Sequence, residues 1–298
     1  MSVFIEVVLP VLLVFLSGYG IQKWKKLDIK SVSTIAIYIL TPCLVFETFY
    51  DADLNSEYVS IVIFSIGLLV SIITINKVMK KVSGYNEAEE SGMILSTAFM
   101  NSGNYGAPIV LFAFGEEGFA YSISFLVLQA IIMNFFGVYY AARGQSGMKL
   151  AFQSVMKMPA TYAAIISLLL NVTNVTMPEN ILSAIKLIAD GAIPGVMIVL
   201  GMQLADISIK SMEWGKITKA SAIRLLASPL IAFGLVMILP MGDLLGKVLI
   251  LSAAMPSAAT TTMYAVEFDS RPELVSSITL VTTLASIITI TALLTFMA

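Results

Sequence analysis

The chain has 298 residues, 58% of them hydrophobic and only 12% charged, with a net charge of −2. Soluble domains carry roughly a quarter charged residues, so this composition, with a mean hydropathy of +0.92, excludes an ordinary soluble globule and describes a polytopic α-helical membrane protein. The charge balance offers no basic patch for nucleic acid, the single cysteine (Cys43) forbids an intrachain disulfide, and the absence of histidine removes His-based catalytic triads, the usual metal ligand and the usual neutral-pH proton carrier.

Taken in order, the apolar runs predict ten transmembrane spans, at 3–22, 29–50, 57–78, 88–114, 118–142, 159–175, 180–205, 217–239, 242–268 and 273–297. The first lacks a basic leader, is interrupted by Glu6 and Pro10, and is followed by Lys23, Lys25 and Lys26. It therefore reads as a retained helix with its N-terminus outside, not as a cleaved signal. The second and seventh are the least uniformly apolar. With this count, fourteen Lys and Arg residues fall in inside loops (Lys23 to Lys30, Lys77 to Lys81, Arg143 to Lys157, Lys210 to Lys219, and Arg271). The outside loops hold one, Lys247, and collect acids instead: Asp51, Asp53, Glu57, Glu116, Glu117, Glu179 and Asp243. That asymmetry places both termini outside and the protein in the plasma membrane. Trp24 and Trp214 fall at inside edges.

The fourth span is unlike the others. At its centre stands Asn101-Ser-Gly-Asn-Tyr-Gly-Ala-Pro108, where two Gly and a Pro break a helix. Broken helices at membrane depth occur only where they are buried in protein or line a watery cavity. The ninth span carries a counterpart. Ile94-Leu-Ser-Thr-Ala-Phe-Met precedes the first interruption and Ile250-Leu-Ser-Ala-Ala-Met precedes the second, Pro256 to Thr262, at an offset near 155 residues. Thr41-Pro42 and Ile193-Pro194-Gly195 match at a similar offset. The chain therefore reads as two inverted five-helix repeats, 1–142 and 158–298, in one transporter domain spanning 1–298, with a short basic linker at 143–157 on the inner surface.

Paired interrupted helices in inverted halves point to a transport site. Unwinding frees backbone groups, half-helix N-termini attract anions, and Asn101 and Asn104 add amide donors. Ser102, Tyr105, Pro108, Pro256, Ser257, Thr260 and Gln129 complete the expected substrate-binding set. The alternative is a pair of structural kinks satisfied by neighbouring helices. Pro42 and Pro194 either line the pathway or shape a rigid support. Asp190 is the most central carboxylate, with Lys186 one turn earlier; together with Glu47 it is the candidate for proton coupling, or else a structural pair. Arg224, two turns inside its span, is placed to snorkel to the inner face. Neither a metal site nor a cofactor is expected, and no Gly-x-x-x-x-Gly-Lys loop argues for ATP. A channel, a membrane sensor of organic acids and an intramembrane enzyme are the competing classes; no nucleophile–base pair supports the last.

Taken together, Asn101 to Pro108, Leu40-Thr-Pro42, Ile193-Pro-Gly-Val with Gly201, and Ala254-Met-Pro256 resemble the auxin efflux carrier family, which includes plant auxin exporters and bacterial malate or malonate permeases. The resemblance covers essentially the whole chain, without the long central loop of the plant members. It implies a fold like that of the bile-acid sodium symporters, with the fourth and ninth helices crossing at their broken centres. It also implies a scaffold of helices 1, 2, 6 and 7, a mobile core of helices 3–5 and 8–10, a homodimer through the scaffold, and elevator-type movement. The implied substrate is a small organic anion, either an auxin-like weak acid or a mono- or dicarboxylate such as malate or malonate. The acidic sodium-ligand pattern of the bile-acid relatives is not matched.

Overall fold

Proline sets much of the local structure. In the computed structural model, which describes residues 4–50, 57–142, 156–157, 159–206 and 212–297, five stretches are wound as π-helix: Phe4–Val8, Ala36–Leu40, Ser102–Gly106, Met133–Gly137 and Ile223–Ala227. Four of these end two residues before a proline, namely Pro10, Pro42, Pro108 and Pro229. Proline lacks an N–H and clashes with the carbonyl four residues earlier, so a wider turn just before it relieves the conflict without ending the helix.

The secondary structure is helical throughout the described residues, apart from one isolated bridge treated below. The helices are α1 (Leu9–Lys25), α2 (Ile29–Tyr50), α3 (Glu57–Ser83), α4 (Glu87–Ala98), α5 (Ser102–Ala141), α6 (Pro159–Val172), α7 (Glu179–Ala189), α8 (Ala192–Asp206), α9 (Trp214–Ile238), α10 (Asp243–Ala253), α11 (Thr260–Glu267) and α12 (Pro272–Met297). Six helical runs are long and apolar enough to cross a bilayer: α2, α3, α5, the run from α7 through α8, α9 and α12. Along α3, Phe64, Leu68 and Ile72 are buried while Ile63, Ile66 and Val70 are exposed. A helix apolar on its outer face as well as its inner one belongs in lipid. The chain is thus an all-α, membrane-embedded protein. The expected linker, but for residues 156 and 157, and the loop with Asp51 and Asp53 lie outside the described residues.

The breaks have local causes. α5 bends at Gly115, whose φ of 67° and ψ of −166° only glycine adopts readily. α7 and α8 part at a turn over Asp190 and Gly191. α4 starts on a capping box: Asn86 Oδ1 accepts from the Glu89 N–H, and Glu89 Oε2 accepts from the Asn86 N–H, both at 2.9 Å. At the opposite face, Glu57 accepts from the Gly242 N–H at 2.8 Å, placing a carboxylate on the N-terminus of α10, and also from the Tyr121 hydroxyl.

α1 packs along α8, the residues 41–50 end of α2 along α6 and α7, and α5 against α10, while α9 contacts α3 and α10 and α12 contacts α4, α9 and α11. The α1–α8 contact is a close backbone approach. A Cβ on Gly201 would stand 2.0 Å from the Phe15 carbonyl oxygen, and one on Gly18 would stand 2.2 Å from that of Ile198. On the lysine-rich face, Glu213 binds both Lys216 and Arg271, and Lys216 also binds Glu89, joining the starts of α4, α9 and α12.

Two predictions follow from this packing. Gly201→Ala has no side-chain end to displace, only backbone, so it is expected to destabilise by about 1–3 kcal/mol or more, whereas Gly20→Ala, which meets nothing within 4 Å, is expected to be neutral or slightly stabilising; thermal unfolding in detergent checks both. The hydrogen bond from Lys216 holds the Glu213 carboxyl below the usual carboxylate range. A depressed carboxyl pKa stabilises the fold above the unfolded value and ceases to do so as the pH falls through the folded one. Acidification below about pH 4.5 is therefore expected to lower the wild-type melting temperature more steeply than that of Glu213→Gln.

Candidate functional site

The two interruptions meet. Met100 and Ser257 form an isolated antiparallel bridge. The Asn101 N–H donates to the Pro256 carbonyl at 2.8 Å, and the Ala258 N–H donates to the Phe99 carbonyl at 3.0 Å. Around this pairing four helix ends converge: the C-termini of α4 and α10, and the N-termini of α5 and α11. The unwound backbone is therefore less available than the sequence suggests, since each broken strand satisfies part of the other.

The expected site residues separate into two groups. Asn104 and Thr260, in the first turns of α5 and α11, line a cavity of about 490 Å³. Its walls are mostly apolar, with Val45, Ile123, Leu126, Val127 and Val196, and Tyr38 and Tyr264 also face it. Lys30 and Lys157 are its charged residues, and no acid lines it among the described residues. First-turn N–H groups have no intrahelical acceptor and carry the positive end of the helix dipole. The cavity thus combines amide and hydroxyl donors, two helix N-termini and two ammonium groups, the chemistry of an anion site with apolar walls.

The remaining members are packed away from that cavity. Ser257, fully buried, donates through Oγ to the Ser96 carbonyl, while its N–H donates to Thr282 Oγ1 at 3.2 Å. Tyr105 stacks on Phe15 with ring centroids 5.3 Å apart, and its hydroxyl accepts from Ser286 Oγ at 3.0 Å. Ser102, Pro108 and Pro256 are buried in the junction, and Gln129 is buried on α5; none of the four lines the cavity. Asn101 is also buried, and its side-chain Nδ2 has no partner among the described residues, so one amide donor stands unspent beside the paired strands.

Asp190 lies midway along the run from α7 through α8 that is long enough to cross a bilayer, but not inside a continuous helix. It sits at the exposed turn between α7 and α8, because Gly191 and Pro194 end one helix and begin the next. Lys186 lies 4.0 Å from Asp190 but 2.8 Å from Glu47, tying α7 to α2. Glu47, Asp190, Glu116, Glu117 and Pro194 line a second, larger cavity of about 770 Å³. Leu44 and Ile193 line both cavities. They pack with Phe119, Ile123 and Ala107 in one apolar cluster, which forms the partition between them.

Arg224 does not snorkel. It is completely buried, because the π-turn before Pro229 aims it inward. Nη1 donates to the Thr97 carbonyl at 2.6 Å, and Nη2 donates to the Ala253 carbonyl and to Ser228 Oγ. The guanidinium thus caps the C-termini of α4 and α10 together. Lys30, Lys157, Thr41 and Tyr264 were missed as lining residues. The lysines entered the sequence reading only as topology markers, and Thr41 only as a neighbour of Pro42.

A sequence comparison decides the family. The model of the family described as membrane transport protein matches residues 3–153 and 146–294. The chain belongs to this auxin efflux carrier family. Two relatives are similar to the chain over almost their full length. One, from Methanothermobacter thermautotrophicus, is an uncharacterized transporter that is 28% identical over 292 residues, covering 96% of this chain and 95% of its own. The other, from Methanocaldococcus jannaschii, is also an uncharacterized transporter, 29% identical over 300 residues with 96% of each chain covered. The protein is therefore a membrane transporter.

Accessibility distinguishes the two groups of residues. In a Cys43→Ala background, Asn104→Cys is expected to react with a small water-soluble thiol reagent at least about tenfold faster than Ser257→Cys, since a buried thiol is inert. Equal rates, read by mass-tag labelling of the purified protein, would show that Asn104 and Ser257 do not differ in accessibility and would overturn this separation.

Proposed function

We propose that the protein is a secondary carrier of small organic anions in the plasma membrane, both termini outside, with substrate bound where the half-helices of its fourth and ninth spans cross. The observation that carries this reading is the charge of the smaller cavity: Asn104, Thr260, two helix N-termini, Lys30 and Lys157, with no carboxylate among its described lining residues. The walls favour a carboxylate attached to an apolar or aromatic body over a compact dicarboxylate, because a second carboxylate would lose its hydration against Val45, Leu126 and Val196 without a partner.

The mechanism is alternating access in an elevator-type movement. The cavity reaching Asn104 opens beside Lys30 and Lys157, the face assigned to the cytoplasm by the Lys/Arg asymmetry. The cavity on the acidic face ends at Leu44 and Ile193. In this reading α1, α2 and α6–α8 form the scaffold, through which two copies pair, and α3–α5 with α9–α12 form the moving core. The packing of α1 on α8 and of α2 on α6 and α7 supports that division. Ten spans in two inverted five-helix repeats are supported by the paired interruptions and by the bend at Gly115, where the fourth span is expected to end. Asn101 stays in the substrate set because its free Nδ2 is a donor beside the junction. Asp190 and Glu47, on the acidic face, are candidates for proton coupling, not for substrate binding.

A panel of aromatic monocarboxylates, malonate and malate, screened by thermal shift and followed by uptake into proteoliposomes, tests this reading. A monocarboxylate with an apolar body is expected to stabilise the wild type. Loss of a hydrogen bond to a charged group costs about 1.5–3 kcal/mol, so Asn104→Ala is expected to weaken affinity by roughly ten- to a hundredfold. The Lys30→Gln/Lys157→Gln double variant is expected to weaken it less and to flatten its salt dependence. Stabilisation that survives unchanged in Asn104→Ala would place the substrate elsewhere.

A further inference from the structure

A helix C-terminus buried in apolar surroundings needs a positive partner, because its last carbonyls lack intrahelical donors and carry the negative end of the dipole. Two such ends meet at the junction. In carriers built on broken helices, half-helix C-termini beside unwound carbonyls are where a coupling cation is held. Here a side chain reaches that position. Arg224 is 0% exposed, and its guanidinium donates to Thr97 O at the end of α4, Ala253 O at the end of α10, and Ser228 Oγ. It forms no ion pair with a carboxylate among the described residues, and its Nε has no partner. Hydrogen bonding alone does not explain a charged group here, since a neutral amide could donate to two carbonyls without the cost of burying a charge. What balances the charge is the pair of helix ends.

We infer that the Arg224 guanidinium is a tethered cation filling the cation position at the paired C-termini, so that the carrier moves its anion without a co-transported alkali ion. This rests on the carrier reading above. The two sides of the junction then divide the charges. The protein's own cation matches the C-terminal ends permanently, and the N-terminal ends, at Asn104 and Thr260, receive the substrate.

The test compares the full-length wild type with Arg224→Met and Arg224→Lys. Thermal unfolding is measured in sodium, potassium and choline chloride at equal ionic strength, and again with millimolar methylguanidinium. The wild type is expected to melt within about 1 °C in all three salts, and Arg224→Lys to be similarly indifferent. Arg224→Met is expected to melt lower and to recover by roughly 5 °C in sodium or methylguanidinium relative to choline, a response that lost packing alone would not give. In proteoliposomes, wild-type uptake is expected to be unchanged when choline replaces sodium and potassium. Sodium-dependent melting or retention of radioactive sodium by the wild type would overturn the inference, as would an Arg224→Met protein equal to wild type in every salt. If Arg224→Met does not fold, the wild-type and Arg224→Lys measurements still decide, because sodium sensitivity in either counts against a filled site. Failure of the wild type to move any acid would count against the carrier reading and leave the melting comparison standing.

Discussion

Backbone polarity inside an apolar, membrane-embedded fold is the constraint on which the rest of this structure depends. A helix that stops there leaves N–H and C=O groups that lipid cannot satisfy, each at a cost of several kcal/mol. The protein meets that cost by stopping two helices at the same place. Phe99 and Asn101 on one strand bond Ala258 and Pro256 on the other, and Ser257 and Arg224 take up carbonyls at the ends of α4 and α10. Either break alone would leave these groups orphaned. The pairing therefore explains why the chain has two interruptions, and why Ser257 is committed to structure when its position suggests a binding role.

Stopping helices together also sorts their dipoles. The C-terminal ends lie against Arg224 in a closed interior, whereas the N-terminal ends face the cavity. The asymmetry comes from local sequence. Pro108 follows a π-turn that begins α5 at Ser102, so Asn104 falls in the first turn of a new helix. Pro229 follows the π-turn that carries Arg224 inward. Close approach elsewhere keeps the frame rigid: Gly18 and Gly201 let α1 and α8 touch backbone to backbone, a contact that any side chain at either position would prevent.

How much of this was legible in the sequence depended on whether a signal was local. The interruption of the fourth span was, because Gly103, Gly106 and Pro108 act within a few residues of themselves. That the two interruptions face one another was an expectation from the family resemblance. The roles inside the junction were not legible. Asn104 and Ser257 are both small polar residues in broken stretches, and only the rotation of each strand about the shared bridge separates one that faces the cavity from one that caps α4. Arg224 was misread because a mid-span cation has two exits, outward along its own helix or inward to a partner. Here the partners, Thr97 and Ala253, lie 127 and 29 residues away. Asp190 is a different case. Its position midway along an apolar run was legible, but the turn at which α7 and α8 part there was not.

The two cavities carry opposite chemistry, and that opposition has a physical consequence. On one side of Leu44 and Ile193 stand Glu47, Glu116, Glu117 and Asp190 with Lys186; on the other stand Lys30 and Lys157 with the helix N-termini. An anion in the lysine-lined cavity would meet fixed positive charge and amide donors, and the same anion in the acidic cavity would meet like charge. Coulomb interactions over a few ångströms at a protein surface are worth several kcal/mol, comparable to the binding of a small acid itself. A site that moved past the Leu44–Ile193 partition toward the acidic face would thus pass from a field that retains an anion to one that expels it. The partition includes Leu44, two residues after Pro42, and Ile193, just before Pro194. In the proposed reading, the broken helices would make the seat, and the surface charges would make release on the acidic face easier than release on the other.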